Sequence, residues 1–520
     1  MSFKTSILGT ERIFPSQKPI SKRTTSLSLL DAVAVDFTAP CAAWLFARPP
    51  GTDHDHFHRS DHFRTSLLIT LEAYPQWCGR LKLVTVVDSC RANTDHELAP
   101  HAQRLGRVHL IYGTPQDPGV EYILAESAAS SKDLCPPPRT GSSSLWDRSD
   151  ISFAPFVPST PVKKPHVDTD DGPFRPPVAI QITSLACGGF VLAVKVAHPL
   201  ADTHSLTRFV KDWASVSRAL CQRTSIPAIK PLFHPELLDA RAAGDINRTE
   251  ADPAILKQIE RLPCERYDFW VDSPGCPWPP IPWSQFDSTS SSHYLLRLSH
   301  EHVEYLWQEA NSGSSSGAET HRLSRHDAVL AHIWSCVNRA RRLQDDRDAV
   351  HCNLTCGLRS VLQLGDDFLG TPTLMVDVDM PGETVATVAA LRPLALRIRN
   401  AVRRVSDPAL LAAHLHSVAF ESTPQRIWQG FLGRRHIMVT TWARAGLYEV
   451  DFGWGPARYV EDVLENLDGL VVIKDAPPPT QNPWPSGSWT ENGVDVVLHL
   501  RAEYMDRLCQ DPVLLGQDML

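Results

Sequence analysis

The chain has 520 residues, 42% of them hydrophobic and 21% charged, with a formal net charge of −8. That length exceeds the ~250–300 residues at which single cores stop growing, so a soluble protein with two core-bearing domains is expected. The absence of a long basic run sets nucleic acid aside as a partner, and the opening residues lack the apolar stretch of a secretory signal or a membrane span. Twelve cysteines, irregularly spaced and without a CxxC pair, read as reduced thiols, which makes the cytoplasm the expected compartment.

Residues 1–26 read as an irregular lead-in to Leu27-Ser28-Leu29-Leu30-Asp31. His54, His56, His58 and His62 form a tempting cluster, but the spacing lacks the i, i+4 logic of a zinc helix and has no cysteine partner, so a solvated loop is expected. From Phe63 onward, Leu67, Leu68, Leu71 and Tyr74 share one helical face. Residues 84–176 hold strands such as Val108 to Tyr112, then a Ser- and Pro-rich tract, SAASSKDLCPPPRTGSSS, that reads as a mobile surface insertion.

Val178, Ile180 and Ile182 alternate with Ala179, Gln181 and Thr183 in the period of a half-buried strand, and Phe190 to Ala197 is an apolar run of strand length. Gly188-Gly189 between them suits a tight hairpin. Leu206, Phe209, Val210, Trp213, Val216 and Leu220 then recur at helical spacing, with Thr203 or Ser205 as the expected N-cap. His198-Pro199-Leu200-Ala201-Asp202 is therefore a strand-to-helix connection, which Pro199 keeps out of the ladder.

Residues 222–290, with the Pro-rich CPWPPIPWSQF, read as a crossover between domains 1–221 and 291–520. In the second half, Tyr294 to Leu298 reads as a strand. Ser324 with Asp327 three residues on reads as a capping motif before a helix carrying Val329, Leu330, Ile333, Trp334 and Val337. Cys352 to Leu362 is strand-like, and His351, Cys352 and Cys356 on it point to both faces, which argues against a metal site. Ile437 to Trp442 is β-prone, Tyr448, Val450 and Phe452 alternate, and Val494 to Leu500 forms a last strand before a closing helix. No repeat at a solenoid period is visible.

The pattern His-x-x-x-Asp is weak alone, since chance supplies it about once or twice in such a chain. A second copy, His166 to Asp170, has no apolar run before it and reads as loop. At Gln181 to Trp213, however, the order is Q-x-T, C-G-G, an apolar strand, H-x-x-x-D and a helix with Phe-x-x-x-Trp; Asp451-Phe452-Gly453-Trp454-Gly455 follows downstream, preceded by Thr440-Thr441-Trp442. Together with Tyr74-Pro75, Gly79-Arg80-Leu81 and Gly357-Leu358-Arg359-Ser360, this resembles the BAHD family of CoA-dependent acyltransferases along the full chain.

The resemblance implies an α/β fold of two similar-sized domains, each of mixed sheet and helices as in chloramphenicol acetyltransferase, with the active-site channel between them. It implies transfer of an acyl group from acyl-CoA to a hydroxyl or amine of a small specialised-metabolite acceptor, by a monomer, without metal. Acyl-CoA would be a co-substrate, not a resident cofactor. Acyl transfer needs a base for the nucleophile's proton and donors for the oxyanion. His198 is the candidate base, since imidazole titrates near neutral pH. By resemblance, Trp442 donates to the oxyanion, Thr440 positions reactants, Asp202 pairs with Arg359, and Asp451, Gly453 and Gly455 shape the structure around the channel. Thr203 stands where the family usually has glycine. No Gly-rich phosphate loop exists, which leaves Arg322, Arg325 and Arg434 as guesses for the CoA phosphates. A condensation-type domain would carry a second histidine where Ala197 stands and would lack DFGWG; a silent binding protein of the same fold is the remaining rival.

Overall fold

The computed structural model describes residues 3–16, 21–48, 56–91, 98–138, 143–165, 174–263, 291–312, 322–427, 435–479 and 487–516. Two large sheets organise these residues. The first has six strands in the order Thr5–Ile13, Val120–Ser127, Val178–Leu185, Phe190–Val196, Cys41–Phe46 and Tyr459–Asp462, antiparallel except where Val120–Ser127 runs parallel to Val178–Leu185. The second has seven, in the order Thr373–Pro381, Ala349–Gly357, Ile437–Thr441, Leu470–Asp475, Val494–Arg501, Ser291–Leu298 and Ser144–Asp147. A small third sheet joins Arg23–Ser26, Val108–Tyr112 and Arg80–Leu83.

Two strands cross between the halves of the chain. Ser144–Asp147 comes from the first half and pairs with Ser291–Leu298, whereas Tyr459–Asp462 comes from the second and pairs with Cys41–Phe46. Buried charges mark the crossing. The Arg148 guanidinium is fully buried against Glu461 and the Tyr459 hydroxyl, and Lys474 is equally buried against Asp462. Such pairs add little net stability, because desolvation offsets most of their attraction.

The hairpin of the first sheet turns at Gly188, whose φ of 82° lies in the left-handed region open to glycine. The helix Thr203–Gln222 buries Leu206, Phe209, Val210 and Trp213 on one face. The Trp213 indole stacks edge-on to Phe63 of the helix His56–Leu71 and donates to Ser66 Oγ at 2.9 Å. In the second half, Ser324 and Asp327 form the expected capping box of the helix Arg325–Ala340.

Several sequence expectations need correction. The lead-in contains the nine-residue edge strand Thr5–Ile13 and the strand Arg23–Ser26, whose alternation carries few apolar residues. Residues 56–62 are helix instead of loop, and His62 Nε2 lies 2.9 Å from Ser217 Oγ. The Ser- and Pro-rich tract is anchored: Ser130 and Asp133 form a capping box, Leu134 is fully buried, and Arg297 holds the Pro137 carbonyl and Ser144 Oγ. Leu447–Glu449 is a short 3-10 turn, so the alternation of Tyr448, Val450 and Phe452 does not make a strand. His54, the His166–Asp170 copy, Arg434 and the Pro-rich part of the crossover lie outside the described residues.

Candidate active site

The strand Phe190–Val196 ends two residues before His198. A tight turn follows, in which the Leu200 and Ala201 amides donate to the Ala197 and His198 carbonyls. Asp202 is the N-cap of the next helix, accepting from the Ser205 amide at 2.9 Å; the serine or threonine cap expected from sequence is displaced because the carboxylate already faces that amide. The Thr371 hydroxyl donates to the His198 carbonyl at 2.6 Å, and the Phe37 ring stands perpendicular to the imidazole with centroids 5.1 Å apart. The histidine backbone and ring are thus held from three separate chain segments.

The imidazole borders a cavity of about 530 Å³ between the two large sheets, a size typical of small-molecule sites. Thr440 and Trp442, at the end of the strand Ile437–Thr441, line the same cavity, as do Thr203, Arg359 and Arg444. His198 Nδ1 is buried and has no partner among the described residues beyond the residue's own backbone, so Nε2 is the nitrogen left for the cavity. Burial pushes the imidazole down to about 4, against the Asp202 charge and the backbone contact, which act upward. It is therefore neutral near pH 7.

Asp202 is turned away from the imidazole. Arg359 grips it with two N–H groups, Nη1 to Oδ2 at 2.6 Å and Nη2 to Oδ1 at 2.9 Å. Burial pushes the carboxyl up, but the Arg359 charge and the hydrogen bonds from Arg359 and the Ser205 amide outweigh it and hold it below the usual range. Arg359 also reaches Ser205 Oγ and the Phe368 and Gly370 carbonyls.

Asp451, Gly453 and Gly455 do not line this cavity. Asp451 Oδ1 accepts from the Gly453 and Gly455 amides, both at 2.8 Å, and the two glycines have φ of 108° and 99°. The loop so formed inserts Phe452 and Trp454 among Phe46, Phe63, Phe190 and Trp213, while the Phe452 carbonyl accepts from Ser217 Oγ. The motif thereby clamps the helix that begins at Asp202. Arg322 and Arg325 lie over the Trp307 ring, Arg325 is also paired with Glu304, and neither lines the cavity. Phe37, Thr371 and Arg444 escaped the sequence reading; only Arg444, two residues beyond Trp442, sat close enough to a motif to be found. Among the described residues no group of histidine, cysteine, aspartate and glutamate is placed to hold a metal, and no helix is long and apolar enough to cross a membrane.

Comparison with known proteins finds that the Transferase family model matches residues 116–515. The chain belongs to this family, the BAHD acyltransferases. Its relatives include acyltransferase abl6 of Leptosphaeria maculans, 24% identical over 99% of both chains. Another is a hydroxycinnamoyl-CoA:piscidic acid hydroxycinnamoyltransferase of Actaea racemosa, 23% identical over 75% of this chain and 82% of that one. The BAHD fold is seen directly in crystal structures of vinorine synthase (TM-score 0.62, 18% identity, 99% and 98% coverage) and of F. graminearum TRI101 complexed with coenzyme A and T-2 mycotoxin (TM-score 0.63, 17% identity, 94% and 97% coverage). As a BAHD protein the chain is an acyl-CoA-dependent acyltransferase acting on small-molecule acceptors.

Proposed function

We propose that His198 is the general base of direct acyl transfer within a ternary complex of acyl-CoA and acceptor. Nε2 takes the proton from the acceptor hydroxyl as its oxygen bonds to the thioester carbonyl carbon. The C=O electron pair moves onto oxygen, and the Trp442 indole N–H, with Thr440 positioning the reactants, stabilises that oxyanion. When the tetrahedral intermediate collapses, the C–S bond breaks and the imidazolium returns its proton to the CoA thiolate, leaving ester and free CoA. A neutral imidazole is ready to accept at pH 7, and the adjacent oxyanion raises its affinity for the proton once the intermediate forms.

The observation that carries this reading is the pairing of a cavity-facing His198 with an Asp202 committed to Arg359. In this reading the aspartate holds the turn and takes no proton. Thr203, in place of the usual family glycine, adds a β-branched wall on the cavity and narrows the acceptor side. The acceptor is a specialised metabolite, and the enzyme works as a cytoplasmic monomer; nine cysteines, Cys41 and Cys352 among them, are free thiols, in keeping with a reducing compartment. A thiol-release assay with acetyl-CoA and a panel of alcohols and amines tests the chemistry, with product mass separating ester from amide. Absence of CoA release above the His198→Ala background across donors and acceptors would contradict it.

A further inference from the structure

Beside the main cavity lies a smaller recess of about 30 Å³, and the two share Phe37, Thr355, Thr373 and Met375 as walls. The remaining walls of the recess are Leu30, Val33, Leu374 and His414. His414 belongs to the helix Pro408–Phe420 and is only 4% exposed. Its Nε2 is buried and has no hydrogen-bond partner among the described residues.

Leaving a buried polar atom unpaired is costly, so an imidazole kept in a recess whose other walls are apolar apart from the Thr355 and Thr373 side chains marks a place where a partner is supplied from outside. The recess volume is close to the ~30 Å³ share of one water in the liquid, enough for a single terminal hydroxyl or carbonyl. Burial pushes the His414 imidazole down to about 4. It is therefore neutral at pH 7 and offers one donor and one acceptor, which suits an uncharged terminus and not a carboxylate.

Resting on the acyl-transfer reading above, the geometry points to a specificity recess in which His414 hydrogen-bonds the neutral hydroxyl or carbonyl tip of an apolar substrate arm that passes Phe37. Phe37 faces both the His198 ring and the recess, so an arm reaching His414 and a reacting group at His198 flank the same side chain. The arm belongs either to the acyl chain or to the acceptor, and the chemistry required is the same in both.

The test uses two matched series that differ only by CH₃ against OH at the tip. One comprises straight-chain acyl-CoA donors from propanoyl to octanoyl, each with its hydroxyl-tipped counterpart; the other comprises alkanols and α,ω-diols of the same lengths. In the wild type, kcat/KM at one chain length is expected to favour the hydroxyl tip at least tenfold, in one series only, which identifies the arm. His414→Leu is expected to reverse that ratio, and His414→Gln, which restores a polar tip, to recover part of it. A site built to bond a hydroxyl discriminates in this way, whereas a plain apolar pocket does not. Equal ratios in wild type and both variants, in both series, would overturn the recess. If no member turns over, the acyl-transfer reading fails, and calorimetric Kd values for the same pairs decide the recess alone. Should His414→Leu fail to fold, the wild-type ratio and its change in His414→Gln still separate a hydroxyl-binding recess from an apolar one.

Discussion

Arg359 and Asp202, 157 residues apart, are joined by two parallel N–H···O bonds that tie the second half of the chain to the turn carrying His198. Both side chains are about nine-tenths buried, so removing either partner strands a charge and costs on the order of 3–5 kcal/mol. Asp202→Ala and Arg359→Ala are each expected to lower urea stability by that amount, and the double variant by clearly less than the sum. Activity is expected to fall with the folded fraction. A cycle without coupling, together with a folded but inactive Asp202→Asn, would place the aspartate on the histidine instead.

His198→Ala is expected to reduce kcat by roughly 10²–10⁴-fold while leaving the circular dichroism spectrum unchanged. His166→Ala, the chance copy of the motif, serves as the silent control. Because burial lowers the His198 imidazole to about 4, the base stays neutral well below its ordinary range. The acid limb of kcat/KM is therefore expected near pH 4, with activity lost as pH falls through it. A limb near the ordinary ~6.5 would show that another group sets the rate.

Trp442 is 3% exposed and its backbone amide is tied to the Ile473 carbonyl at 2.8 Å, so the ring is fixed at the cavity wall. Trp442→Phe keeps most of the ring and deletes the N–H. Loss of one oxyanion donor corresponds to about 2.7–4 kcal/mol in the transition state. The expected result is a lower kcat with little change in KM, and an effect confined to KM would make the residue a packing element.

Asp31 offers a pH test of the scaffold. It accepts from the Thr371 amide at 2.6 Å and from the Ser28 amide and hydroxyl at 2.9 and 2.7 Å. Burial pushes its carboxyl up to about 7 even so. The sign follows from linkage: a carboxyl raised on folding favours the folded state below its unfolded value near 4, and that contribution is lost as pH rises through about 7. Asp31→Asn loses hydrogen bonds at every pH but cannot ionise. Its stability relative to wild type, from denaturation midpoints, is expected to rise between pH 4 and 8, and a flat difference would show that Asp31 keeps an ordinary pKa.

Local pattern made much of the fold legible. Alternation located the strands Val178–Leu185 and Val494–Arg501, and the Ser324–Asp327 pair announced its helix, because those signals lie within a few residues of one another. What escaped depends on distant chain. Phe37 reaches His198 from 161 positions away in numbering, Thr371 from 173, and His414 meets Leu30 and Val33 only after both halves have packed. The tract around Ser130 misled for a related reason: its composition is that of a solvated loop, while its anchors, Arg297 and the strand Ser291–Leu298, come from the other half.

The exchanged strands have a consequence for how the enzyme is made and how it admits its substrates. A ribosome must deliver residue 462 before the sheet begun at residue 5 acquires its last strand, so the N-terminal portion waits unfinished for most of synthesis. Once closed, the two large sheets are linked through the pairs Arg148–Glu461 and Lys474–Asp462, so separating them would expose two buried ion pairs at once. Hinged opening of the kind that serves many two-lobed enzymes would have to break both pairs. Co-expressed fragments 1–221 and 222–520 would be inseparable partners, each holding a ribbon that completes the other.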